Sequence, residues 1–287
     1  LELAYTDNLV KWGNTSGLIA DSTAWNFVVL TYSPTGVTIY LNGVPSTFNS
    51  GPMPVIDLSQ SAFFVNRDIH GQGASYHGAI DEIKFYNYAL SQNEVREKMH
   101  LIQSNAPAET GLLKYFQFNQ YNSAAGTVPD LMSDFKAIIP GSAFITASTA
   151  PVASGSVFRK PDVSTGGQHS FPGTGIDLFL KNGATYPNGE VVAFKLNSPP
   201  DTKPDGLSLA PRSNYFIINN YGSNKAFTAP DSIRFSSGNI DAAHGIADFN
   251  LYSRASGAWG DTWASQISRS TGFKSVSGNS TITFGTG

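Results

Sequence analysis

The sequence predicts an all-β protein: strands and turns closed by one short helix, then a second β-sandwich. Three observations carry this. Short apolar runs alternate with polar residues at period two between turn signals. Aromatic residues make up 12% and charged residues only 14% of the 287, with Gly 28 and Pro 16. That composition suits strands joined by many turns, not long helices. Finally, one stretch alone, "ALSQNEVREKM", has the signals of a helix start.

Other totals narrow the function. There is no cysteine, so disulfide frameworks, thiolate zinc sites and thiol nucleophiles are excluded. The net charge is −3 without a basic run, which is not the footprint of a nucleic-acid binder. No apolar stretch approaches the ~20 residues of a membrane-spanning helix, so membrane insertion is not expected. The opening "LELAYTDNLVKW" starts in mid-pattern without a signal peptide and reads as part of something longer.

Taken in order, "WNFVVLTYSPTGVTIYLNG" (25–43) is a strand, a turn and a second strand. In the latter Val37, Ile39 and Leu41 alternate with Thr38, Tyr40 and Asn42. Asn42-Gly43 is a hairpin-type turn, because both residues tolerate positive φ. Residues 61–68 form another strand, 70–78 a Gly-rich loop and 80–87 the next strand. The helix follows. Ser91 with Glu94 makes a capping box, and Leu90 with Val95 a hydrophobic staple. Val95, Met99 and Ile102 form one apolar stripe, so the helix is expected to cover a sheet as a plug or edge. Residues 103–111 read as a polar linker, 111–119 as a strand, 120–130 as a loop and 135–152 as two short strands. The Gly/Ser/Pro-rich stretch 153–175 marks a boundary. Beyond it strands are expected at 176–180, 190–196, 214–220, 231–236, 247–254 and 280–284, and no second helix. The expected organisation is residues 1–105 as the first unit, 106–152 as a connecting β segment and 153–287 as the second sandwich.

The strand pair from Trp25, Val28, Thr31 and Tyr32 to Tyr40, Asn42 and Gly43 carries a family resemblance. So does the closing run of Gly78, Ile80, Asp81, Glu82, Tyr86, Asn87, Ala89, Leu90, Ser91 and Glu94. Together they resemble the laminin-G-like, concanavalin-A-type jelly roll of secreted Bacteroidetes-type surface proteins. The resemblance covers residues 1 to about 102 and implies that the helix ends the domain. Only the later strands of such a domain are present, so its first half is expected upstream. In the alternative reading, "GLLKYFQFNQYNSAAGTVPDLMSDFKAIIPGSAFI" (111–145), which resembles the family's opening strands, supplies it. Residues 190–263 more weakly resemble a β-domain of the same surface proteins, one that often precedes a type IX secretion module.

Candidate chemistry is sparse. Asp81 and Glu82 are adjacent, so on a regular strand they face opposite sides and cannot flank one glycosidic bond. Asp81 would share a face with Ile83 and Phe85. There a carboxylate needs hydrogen bonds to backbone N–H groups or a cation. Asp68, His70 and His77 match no zinc spacing. On a loop held by a rigid scaffold, Asn66, Asp68, His70 and Tyr76 are candidates to hydrogen-bond sugar hydroxyls. Trp259 and Trp263 either form a sugar-stacking platform or fill the core, with Trp263 the more buried. Trp12 and Trp25 are assigned to packing. No nucleophile elbow and no H-E-x-x-H motif occurs.

The resemblance implies rim-based binding of a polysaccharide or glycan, helped by Ca²⁺ with Asp68 and Asp81 as ligands. The implied setting is extracellular, at a bacterial cell surface. Two functions remain open: a non-catalytic carbohydrate-binding and adhesion region, or a spacer that binds surface proteins or nothing.

Overall fold

The computed structural model describes residues 2–6, 10–14, 21–34, 36–48, 78–103, 109–139, 141, 143–181, 187–205, 214–224, 226–227, 231–235, 251–254, 261–266, 269–270, 273–276 and 282–283. Among them the chain is all-β with one helix. The first part contains β1 (Glu2–Thr6), β2 (Val10–Asn14), β3 (Val28–Ser33), β4 (Gly36–Leu41), β5 (Val44–Phe48), β6 (Ile83–Tyr86), α1 (Gln92–Lys98) and β7 (Leu112–Phe116). A hairpin of β8 (Thr127–Pro129) and β9 (Lys136–Ile138) follows. The second part contains β10 (Gly155–Lys160), β11 (Gly167–Phe171), β12 (Ile176–Leu180), β13 (Val191–Leu196), β14 (Tyr215–Asn220), β15 (Ala226–Phe227) and β16 (Ser232–Phe235). It ends in β17 (Leu251–Ser253), β18 (Ala264–Gln266), β19 (Arg269–Ser270), β20 (Phe273–Val276) and β21 (Ile282–Thr283).

The second part is a sandwich. One sheet has the order β10-β13-β14, the other β11-β12-β16-β20-β19. In β12 the sequence I-D-L-F-L buries Ile176, Leu178 and Leu180 and turns Asp177 and Phe179 outward. Those three pack with Phe171, Ile233 and Phe235 against Val191 and Ala193 of the facing sheet. The other face of β13 is buried as well. Val192, Phe194 and Leu196 meet Met99, just past α1, and Ala153, with Phe27 and Leu101 at the margin. A strand buried on both faces reads as a nearly continuous apolar run, and "VVAF" does so. β10 begins at Gly155, where any Cβ would run into the carbonyl of Lys195 across the ladder.

The first part contributes the sheet β3-β4-β5 and the pair β6-β7. α1 starts as the sequence predicts: Ser91 Oγ accepts Glu94 N–H at 3.3 Å, and Glu94 Oε2 accepts Ser91 N–H at 2.8 Å. Leu90 and Val95 pack together on Tyr40, with Phe27, Val29 and Tyr86 at the edge. The expected single stripe is split between two clusters. Val95 faces the first part while Met99 enters the core above β13. α1 is therefore not an edge cover but the piece shared by both parts.

Other expectations change. The strand of 80–87 starts only at Ile83, because Glu82 adopts φ 56°. The loop of 120–130 contains β8. Among the described residues of 135–152 there is one strand, β9. The Gly/Ser/Pro-rich stretch 153–175 supplies two strands, β10 and β11. β7 pairs antiparallel with β6, so "GLLKYFQFN" lies beside the closing strand of the first part. The strand expected at 61–68 and most of the loop at 70–78 lie outside the described residues.

Candidate carbohydrate-binding surface

Of the expected ligand-binding residues, Asn66, Asp68, His70, Tyr76 and Trp259 lie outside the described residues, and Trp263 is placed. β17 pairs antiparallel with β18, Ser253 opposite Ala264. One step further, Arg254 and Trp263 face each other at the loop end of the hairpin. The Arg254 guanidinium stands 4.7 Å from the centre of the indole ring, a cation–π contact. Both side chains turn to the loop after β13. Arg254 donates to Thr202 Oγ1 at 3.0 Å and to Asp201 Oδ1 at 2.5 Å, and Trp263 Nε1 donates to the same Thr202 Oγ1 at 3.1 Å. Burial pushes the Tyr215 phenol up to about 12, with the Asp201 carboxylate adding and Arg254 opposing. Trp263 is half-buried and held at its N–H and on its ring by these partners. The cluster offers an indole, a guanidinium and a carboxylate, the groups that stack on a sugar ring and pair with its hydroxyls.

Asp81 Oδ1 accepts Glu82 N–H at 2.9 Å, tying down the turn into β6. The expected face shared with Ile83 and Phe85 does not exist, since the strand is not yet regular at Glu82. Calcium takes about six to eight oxygen ligands. Among the described residues no three His, Asp or Glu side chains converge in this way. Asp68, the other expected calcium ligand, lies outside the described residues.

Sequence reasoning missed the polar cluster beside Asp81. Tyr115, fully buried on β7, donates its hydroxyl to the Glu82 carboxylate. The same hydroxyl accepts from Gln117 Nε2 at 2.7 Å and Gln103 N–H at 3.2 Å. Burial raises the Glu82 carboxyl, against the opposing pull of the Tyr115 bond and the Lys84 charge. Burial lowers the Lys84 ammonium to about 8, with Glu82 opposing. Lys84 Nζ donates to Leu101 O at 2.8 Å and lies 4.9 Å from the centre of the Tyr115 ring. The β6–β7 register places Lys84 opposite Tyr115. That pairing joins residues 31 apart in sequence, so no local signal points to it.

One hollow at the β11–β12 turn is lined by Ser170, Phe171, Gly173, Gly175 and Asp177, and a smaller one follows β7 at Gln117, Phe118 and Asn119. No described helix is long and apolar enough to cross a membrane. No curated protein and no solved structure matches the chain. One comparison does find a match, in the part that contains the hairpin of Asn42-Gly43, the Asp81-Glu82 turn and the start of α1. Residues 3–96 match the family model of the Concanavalin A-like lectin/glucanases superfamily, of laminin-G type.

Proposed function

We propose that this chain is a non-catalytic carbohydrate-binding and adhesion region of a larger secreted or cell-surface bacterial protein. The match of residues 3–96 to a superfamily of lectins and glucanases carries this reading. Two features support the non-catalytic form. The adjacent carboxylates Asp81 and Glu82 serve a turn and a buried phenol, not two sides of one bond. The described hollows are shallow, which suits contact with a chain of sugars along a rim. Calcium enters this reading through Asp68 together with Asp81.

A glycan and polysaccharide array, probed with the full chain in Ca²⁺ and again in EDTA, tests it. Binding to a defined set of glycans is the expected result, and its loss in EDTA would assign calcium a part. No binding across the array would overturn the lectin reading in favour of a spacer. Release of reducing sugar from a bound polysaccharide would overturn the non-catalytic one.

A further inference from the structure

We propose that His100 is an acid-sensitive latch at the joint between the two β parts, and that protonating its Nε2 releases α1 from β13 and β14. The residue lies two positions past the helix. Its main chain is built into the joint: His100 O accepts Ala153 N–H at 3.1 Å, and Ile102 N–H donates to Ala153 O at 3.1 Å. These bonds tie the chain after α1 to the start of β10.

The side chain is only 5% exposed, and its partners fix the tautomer. Nδ1 lies 2.9 Å from Pro151 O, which can only accept, so the proton of the neutral ring sits on Nδ1. Nε2 is then the acceptor for Asn219 Nδ2 at 3.2 Å. The Asn219 Oδ1 is buried without a hydrogen-bond partner. Phe194 of β13 packs edge-on, 4.9 Å between ring centres.

Among the described residues the groups against the ring are neutral: Phe194 from β13, Asn219 from β14 and Pro151 from the segment before β10. The charged groups of the joint are engaged with one another. Arg96 pairs with Glu190, Arg159 with Glu190 and Glu97, and Lys98 with Glu109. Lys84 is bound to Leu101 O. Among the described residues no carboxylate is placed to pair with an imidazolium.

A second proton on the ring would set Nε2–H against the Asn219 N–H donors. Turning the amide over would bring Oδ1 to Nε2. It would also move Nδ2 into the buried position that Oδ1 holds without a partner. Either arrangement leaves a buried donor unpaired beside a buried charge. Opening the joint lets water solvate the cation instead.

Burial lowers the imidazole from 6.5 to about 4, with the Pro151 bond opposing. Above 6.5 the ring is neutral whether the joint is closed or open. Between 6.5 and 4 only the open form takes the proton, so the closed joint loses stability as pH falls through that window. The opening constant should rise on the order of a hundredfold across it.

Hydrogen exchange of the full chain, followed by NMR and corrected for intrinsic rates, tests this from pH 7 to pH 4. The Ala153 and Ile102 amides report the joint, and the Val163 and Leu178 amides the sandwich. Acid should strip protection from the first pair by tenfold or more relative to the second. His100→Gln should remove that selective loss, whereas His169→Gln should keep it. Asn219→Asp supplies an acceptor for Nε2–H. It should raise the pH at which the His100 ring signals titrate and weaken or reverse the acid effect. Joint protection that stays level with the sandwich in the wild type overturns the proposal. So does an equal acid loss in His100→Gln. Should that variant fail to fold, an unmoved titration and an unchanged acid loss in Asn219→Asp overturn it.

Discussion

The two faces of β13 bury similar side chains for different ends. The inner face, Val191 and Ala193, meets Phe171, Ile176, Leu178, Ile233 and Phe235, all apolar. The outer face, Val192, Phe194 and Leu196, meets Met99 and Ala153 in an apolar centre. Its margin is polar. Asn219 and His100 pair there, Arg159 reaches Glu97 and Glu190, and Arg96 lies over Tyr221 at 3.8 Å. Gly43 closes this margin from the first part, since a Cβ there would collide with Tyr221 and Arg96. The inner face is the core of one sandwich. The outer face is a core between parts, where charge-assisted contacts fix orientation around a small apolar centre.

If the outer face is a true core, Phe194→Ala should cost about as much as a truncation inside the sandwich. We expect about 3–5 kcal/mol from the lost ring and the cavity, against about 2–5 for Leu178→Ala. Both should lower the midpoint of a single denaturant transition in the full chain. A Phe194→Ala protein in which the first part melts early, while the sandwich keeps the wild-type midpoint, would show that the outer face is only a contact between independent parts.

The difference between the faces also explains what the sequence disclosed. β12 was legible to the residue, because Ile176, Leu178 and Leu180 alternate with Asp177 and Phe179 over a fully one-sided strand. The start of α1 was legible because the Ser91–Glu94 box and the Leu90–Val95 staple are local. β10 and β11 were not. Gly155 reads as a turn residue, yet it is there because the Lys195 carbonyl passes too close for a Cβ. Met99 was read onto the Val95 face alone, since helical spacing cannot foresee that β13 packs over that end of the stripe. At the candidate surface, Trp263 was singled out, but its partners Arg254, Asp201 and Thr202 come together only through the β17–β18 register and the loop after β13. The positive φ of Glu82, which takes Asp81 off its expected face, has no signal in the sequence.

A second contrast sets the apolar inner face against the β6–β7 layer, which buries Glu82, Lys84 and Tyr115 together. The sandwich core should be indifferent to mild alkali, and this layer should not. Lys84 is lowered to about 8 from 10.5, chiefly by burial. Below pH 8 both folded and unfolded chains hold its proton. Between 8 and 10.5 only the unfolded chain does, so stability rises with pH through that window. Burial raises the phenols of Tyr86, Tyr115 and Tyr221, which act the other way above about pH 10. Between pH 8 and 9, where the phenols hardly titrate, urea midpoints should therefore report a gain of roughly 1 kcal/mol. Lys84→Met should flatten that rise whatever its effect on the absolute midpoint. A wild-type profile as flat as that of Lys84→Met would show that the ammonium is better solvated than its position implies.

The smallest expected effect tests whether α1 belongs to both faces of the comparison. Ser91 Oγ satisfies the Glu94 N–H, and Glu94 returns the bond to Ser91 N–H while its other oxygen holds the Tyr88 hydroxyl at 2.9 Å. Ser91→Ala removes one acceptor from the first turn and leaves Leu90, Val95 and Met99 in place. The loss should be about 1 kcal/mol. Its form matters more than its size. If α1 is shared, fraying its start weakens the packing of Val95 on Tyr40 and of Met99 on Phe194 together. The whole transition then moves to lower denaturant with an unchanged slope. If the helix served only the first part, the sandwich would not register the change, and the transition would broaden or split. Fluorescence of Trp25, whose Nε1 binds Thr149 at 3.0 Å in the first part, and exchange of the Leu178 amide in the sandwich follow the two sides separately. Coincident shifts of both establish the shared helix, and a shift in Trp25 alone refutes it.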